Sequence, residues 1–204
     1  IYAGASLDDE LFQYLCSPET REQLRSVLIR TYFIAEVQPA VWEQGVVNVG
    51  SYEYEKELLI SVKEPGFQIE DSGDDKKRRI RDQGFRKAIV RLYDHRCALC
   101  GIRMLTAEGH TVVEAAHIVP WSESHDDLPS NGLCLCRLCH WSFDEGLMGV
   151  GKRYEVLVSD RGRTDQNIPG HVLTLRDRPI FKPEEERSWP AQVNLKIHRS
   201  KRFS

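Results

Sequence analysis

Four of the six cysteines stand in two C-x-x-C pairs, Cys97/Cys100 and Cys136/Cys139. Each spacing places two thiolates on one side of a tight knuckle, and two knuckles can close a tetrahedron around Zn²⁺ with no open coordination position. A single C-x-x-C beside a thioredoxin-like pattern would favour redox chemistry, and a short secreted chain would favour disulfides. Two pairs in a chain of 204 residues favour a structural zinc. Cys134 reads as a small buried apolar group, and so does Cys16 on the apolar side of a helical stretch. Three further polar residues lie between or beside the knuckles: His117, Asn131 and His140. A helix over 136–145 sets His140 and Asp144 four residues apart on one face. An imidazole and a carboxylate so placed form half of a divalent-metal site, with water and phosphate to complete it. His117, just after a strand, is then free of metal and suited to take a proton from water near neutral pH.

These side chains need elements to hold them. Thr111 to Ala116 is short and β-prone, and Pro120 ends it. Residues 121–132 are rich in turn formers (Ser122, Ser124, Asp126, Asp127, Pro129, Ser130, Asn131, Gly132) and read as a loop. Tyr154 to Val158 reads as another strand. Upstream, Leu7, Leu11, Phe12 and Leu15 recur at helical spacing. Ser17-Pro18 then signals a helix start, with Leu24, Val27, Leu28 and Tyr32 as its expected buried stripe. A further helical pattern covers 51–62, with Tyr54, Leu58 and Leu59 facing inward. The acidic run from Glu70 to Asp75 reads as a linker or exposed loop. Over 79–93, Ile80, Phe85, Ile89, Val90 and Leu92 alternate with Arg81, Arg86, Lys87 and Arg91 as an amphipathic helix with a basic outer face.

Charge divides the chain at the same place. Residues 1–75 hold 15 acids and 5 bases, a net −10; residues 76–204 hold 23 bases and 16 acids, a net +7. A polyanion would favour the second part. The reading is therefore an acidic helical region and linker over 1–75, followed by a zinc-containing domain with a C-terminal extension over 76–204. No apolar run approaches the roughly 18–20 residues of a bilayer span, so no membrane partner is expected. The chain begins at Ile1, which suggests a piece of a longer or processed protein.

The run Glu114-Ala115-Ala116-His117-Ile118-Val119-Pro120-Trp121, then Asn131-Gly132-Leu133, then Leu135-Cys136 through Cys139-His140 to Asp144-Glu145-Gly146 resembles the HNH endonuclease signature. Its A-A-H-I-x-P-W block and following N-G-L are similar to the restriction-endonuclease branch of that family. The resemblance covers about residues 80–160. It implies an α+β, ββα-metal (His-Me finger) nuclease domain, here stapled by zinc and preceded by a small helical region. It implies His117 as general base and Asn131 as the residue that fixes the loop and orients that base. His140 falls at a metal-ligand histidine, and Asp144 where some members carry another ligand. Many members place Asp or His immediately before the base, and this chain has Ala116. Either His140 and Asp144 suffice with water and phosphate, or affinity is weak, or a group such as Glu114 helps.

The expected activity is hydrolysis of double-stranded DNA, modified or not, in the cytoplasm. Mg²⁺ is the expected catalytic ion, with Mn²⁺ or Ni²⁺ as substitutes. Lys76, Lys77, Arg78, Arg79, Arg86, Lys87 and Arg91 would meet the phosphate backbone, together with a basic tail at Lys196, Arg199, Lys201 and Arg202. Palindromic cutting would imply a homodimer. Two competitors remain: a catalytically silent zinc-containing DNA-binding module, for which Ala116 argues, and a zinc-dependent protein-interaction domain, for which only the acidic first region argues.

Overall fold

The structure is a computed structural model that describes residues 6–61, 74–161 and 172–203. Seven α-helices and four short strands are described in these segments, giving an α+β chain. The chain divides into two compact units, residues 1–49 and 50–204.

In the first unit, α1 (Asp9–Cys16) starts where the Asp8 side chain accepts the Leu11 N–H at 2.8 Å, satisfying an otherwise orphan donor. α2 (Pro18–Tyr32) opens with proline at its first turn, where a missing N–H costs nothing. Ser17 occupies the cap position, but its side chain makes no capping bond. The expected buried stripe differs from the one observed. Ile29 is the buried residue of α2, whereas Val27, Leu28 and Tyr32 are exposed at 61%, 55% and 76%. Neighbouring apolar residues on a helix point about 100° apart, so a small phase error exchanges an inner residue for an outer one. Cys16 is likewise exposed rather than buried.

α3 (Gln38–Ser61) begins well before the expected helix over 51–62, and the division between the units falls inside it. Its last three turns pack on α4 (Asp75–Leu92) with Leu58 buried and Tyr54 half-buried. Glycine permits this approach: a Cβ on Gly84 would come within 2.7 Å of the Tyr54 ring. The acidic segment read as a linker ends differently than expected. Asp74 caps α4 by accepting the Lys76 N–H, and Asp75 is its first residue. The preceding linker positions, 70–73, and the Pro65-Gly66 break lie outside the described residues. The sequence suggests a domain boundary at about 75; the observed division falls earlier because Gly50–Ser61 packs on α4.

The centre of the second unit is an antiparallel hairpin, β1 (Val113–His117) with β2 (Gly132–Cys136), in the register Val113↔Cys136 to His117↔Gly132. Its connection contains α5 (Trp121–Ser124) and a 3₁₀ turn at Pro129–Asn131. α6 (Arg137–Asp144) follows β2 directly and packs on the hairpin. α4 covers one face of the hairpin through buried Phe85, Ala88 and Ile89, with Phe85 stacked on His117 and Ile89 against Gly132, while Leu133 and Leu135 at the alternate positions have no exposure. Each such leucine contributes on the order of 1.5–3 kcal/mol by leaving water. A second small sheet, β3 (Met148–Val150) with β4 (Val156–Val158), and α7 (Gln192–Lys201) complete this core. Phe143 of α6 stacks on His198 of α7 at 3.6 Å, and His198 Nε2–H donates to the Phe143 carbonyl at 2.9 Å.

Candidate nuclease site

The cysteine knuckles meet as their spacing predicts. Cys97, Cys100, Cys136 and Cys139 place their sulfurs within 4.8 Å of one another, among the described residues the one group of three or more candidate ligands that could hold a metal. The first knuckle closes when Gly101 N–H donates to the Cys97 carbonyl and Cys97 N–H to that of Ile102. Gly101 sits at φ +78, and a Cβ there would run into Phe181, so glycine is required twice over. Cys136 caps α6, and Cys139 lies in its first turn. Hydrogen bonding with Cys100 pulls Cys136 far below the free-thiol range and pushes Cys139 far above it. Four crowded thiolates repel, and a dication removes the conflict, so the donor set fits zinc. Cys134 is fully buried beside this cluster, as expected of a small apolar group, and burial raises its pKa.

His117 ends β1. Its ring stacks on Phe85 with centroids 3.9 Å apart and planes 5° apart. Nε2 lies 2.6 Å from Asp127 Oδ1, leaving Nδ1 as the other ring nitrogen. His117, Glu114, Arg78, Arg81, Arg86 and Trp121 all line one open cleft of about 880 Å³. The sequence marks Asp127 only as a turn former. Its side chain has no exposure and also accepts from Tyr54 Oη at 2.8 Å.

Asn131 is completely buried. Its Oδ1 accepts the Val119 N–H at 3.0 Å, and its Nδ2 donates to the carbonyls of Val119 and Asp126 at 3.0 and 2.9 Å. Its own carbonyl accepts the Ile118 N–H at 2.8 Å. Asn131 thus ties both ends of the loop that carries Asp127, and it does not line the cleft.

His140 and Asp144 do share a face of α6. Nε2 of His140 is 3.5 Å from Asp144 Oδ2, and its Nδ1 is 2.9 Å from Glu114 Oε1. Donors about 2.0–2.2 Å from one ion stand roughly 3–3.5 Å apart, so this pair fits a shared divalent cation. Glu114 occupies the other nitrogen, where a carboxylate fixes the tautomer and orientation of a ligating imidazole. Of the alternatives left open by Ala116, the structure brings Glu114 to His140 and keeps Ala116 buried in the core.

The basic residues separate into groups. Arg78 and Arg86 line the cleft with His117. Arg81 turns inward, its guanidinium 3.8 Å over the Trp121 ring and its Nε 3.5 Å from Asp127, rather than joining the outer face. Lys87 donates to Ser51 at 2.8 Å and Arg91 pairs with Glu55 at 3.2 Å, so both point to α3. Lys77 is exposed, and Lys76 and Arg79 on the same helix are partly buried. In the basic tail, Lys201 pairs with Glu123 and Arg202 donates to the Asp144 carbonyl at 3.2 Å.

A zinc-fitting cysteine frame, a β-hairpin packed on a helix, and histidines at the strand end and on the helix define a ββα-metal nuclease domain. Comparison with known families agrees: residues 97–151 match the HNH endonuclease family. Among solved structures, a modification-dependent TagI restriction endonuclease is 25% identical over 57% of this chain and 36% of that chain, with a TM-score of 0.41. The match thus spans well under half of that protein's length. No curated protein matches. No described helix is long and apolar enough to cross a membrane.

Proposed function

We propose that this chain is a metal-dependent HNH endodeoxyribonuclease of the restriction type, acting on double-stranded DNA in the cytoplasm, with residues 76–204 as its nuclease domain. The observation that carries this reading is the shared cleft. Glu114, which holds His140, and His117 line it together, and Arg78 and Arg86 line it with them. His117 takes a proton from the attacking water on Nδ1, because Nε2 is already engaged by Asp127. His140 and Asp144 would hold the divalent ion, Mg²⁺ or Mn²⁺, whose charge neutralises the scissile phosphate and the leaving 3′ oxygen. Glu114 orients His140, and Asn131 keeps the loop behind His117 in place. Arg78 and Arg86 engage backbone phosphates without reading sequence. The cysteine cluster, filled with zinc, holds the frame and takes no part in bond breaking.

Incubation with plasmid DNA tests the reading. Nicking or linearisation in Mg²⁺ or Mn²⁺, abolished by EDTA, with 5′-phosphate and 3′-hydroxyl ends, is expected. Ala116 supports a second reading, an inert DNA-binding module, because the side chain before the base carries no ligand atom. A gel shift in Ca²⁺ with no cutting in any divalent ion would favour that alternative.

A further inference from the structure

Asp127 lies ten residues beyond His117 in a loop of turn formers, yet its carboxylate has no solvent exposure. Burying a charge is costly unless partners replace the water it loses. Three partners surround it: His117 Nε2 at 2.6 Å, Tyr54 Oη at 2.8 Å and Arg81 Nε at 3.5 Å. Arg81 is shared with Asp82 at 2.8 Å and with the Trp121 ring, so it is not Asp127's alone. The shortest of the three contacts goes to His117, the proposed base in the cleft. A bond of this length between nitrogen and carboxylate oxygen has the character of a charge-assisted pair.

We propose that Asp127 is the positioning residue for His117, and that Tyr54, far upstream in α3, completes the arrangement. This rests on the reading of His117 as general base. The Asp127 carboxylate can only accept, so the shared proton sits on Nε2 and the lone pair on Nδ1. Phe85 fixes the plane of the ring by stacking, and Asp127 fixes its rotation within that plane. As His117 gains the second proton from water, the carboxylate faces the positive charge that develops. Tyr54 donates to the opposite oxygen of Asp127 and holds it in register. Burial and the nearby Asp127 push the Tyr54 phenol well above its ordinary range, so it remains a donor at any pH at which the protein works. Asn131 fastens the Asp126 carbonyl next door, which ties the loop backbone to the same frame. Tyr54 lies outside the 97–151 segment matched to the nuclease family, so the base depends on a helix beyond that segment.

The test uses the intact chain and two conservative variants. ¹⁵N NMR of the His117 ring, taken without substrate, should show the proton on Nε2 in the wild type. In Asp127→Asn the amide can donate to Nε2 and drive the proton to Nδ1. Cutting by that variant should fall by at least about 100-fold in kcat, with KM and the gel shift in Ca²⁺ unchanged, by analogy with the wrong-tautomer effect in catalytic triads. Tyr54→Phe keeps the carboxylate and should keep the wild-type tautomer, with kcat reduced only a few-fold. A wild-type ring protonated on Nδ1, or an Asp127→Asn variant that keeps the Nε2 proton and cuts within twofold of wild type, overturns the proposal. Because the tautomer is read without DNA, it judges Asp127 even if His117→Ala still cuts, a result that overturns the general-base reading alone.

Discussion

The cysteine cluster and the cleft draw on the two strands of one hairpin, with Cys136 on β2 and Glu114 and His117 on β1, yet they are held in opposite ways. At the cluster, Cys97 and Cys139 have no exposure, and the first knuckle is shaped by hydrogen bonds within its own backbone. His117, which lines the cleft, and His140, bonded to the cleft residue Glu114, keep 21% and 26% of their side chains exposed and are each aimed by a carboxylate from elsewhere in the chain. One region spends its polar groups on closing the fold. The other leaves one nitrogen of each imidazole available after the carboxylate has taken its share. Loss of a knuckle should therefore remove structure, and loss of a cleft residue should remove chemistry with the structure intact.

The sharpest break of that contrast lies at the knuckles. Cys97→Ser or Cys139→Ser should cost the fold itself, since apparent zinc affinity in such sites reaches about 10 kcal/mol or more and is coupled to folding. Thermal melts and metal analysis check this, and unchanged stability with full zinc content would contradict it. Asn131→Ala comes next and lies between the two regions. It orphans the Val119 N–H and the Asp126 carbonyl in a buried loop, so stability should fall by about 3 kcal/mol and cutting should fall with it. A chemical denaturation curve reads the first effect. If stability is unchanged, the loop does not depend on this side chain.

The smallest effect concerns acid sensitivity at the back of α6. Burial lowers the His198 pKa in the folded chain, while the unfolded chain takes its proton near ~6.5. Stability from this group is therefore whole above about pH 6.5 and declines as pH drops below it, by at most about 1.4 kcal/mol per pH unit. His198→Phe keeps the stack on Phe143 and removes the titration. Its denaturation midpoint should vary less with pH between about 5 and 7 than that of the wild type, and an equal slope would contradict the assignment.

Legibility in the sequence follows the same divide. Knuckles close locally, so the spacing of Cys97, Cys100, Cys136 and Cys139 is enough to bring them together. The i, i+4 pairing of His140 with Asp144 is also local and can be read. Strand β2 is not evident from its residues, because Gly132–Leu135 is buried on both faces and shows no alternation. The first half of α3 is hidden because Gly45, Val46, Val47, Val49 and Gly50 are poor helix formers in isolation. Asp127 is hidden differently. Its residue type and neighbours are those of a turn, and only the approach of Tyr54 and His117 gives its carboxylate a role. Lys87 and Arg91 look like phosphate ligands on an outer face, but α3 covers that side of α4.

The claim on which the rest depends is that His117 takes the proton from water. Single-turnover cleavage of plasmid DNA by His117→Ala, in Mg²⁺ or Mn²⁺ and beside the wild type, tests it most directly. The account predicts a loss of at least about 1,000-fold, consistent with the scale of general-base contributions, in a protein that still melts like wild type and retains its zinc. Cutting at the wild-type rate by that folded, zinc-loaded variant would contradict it.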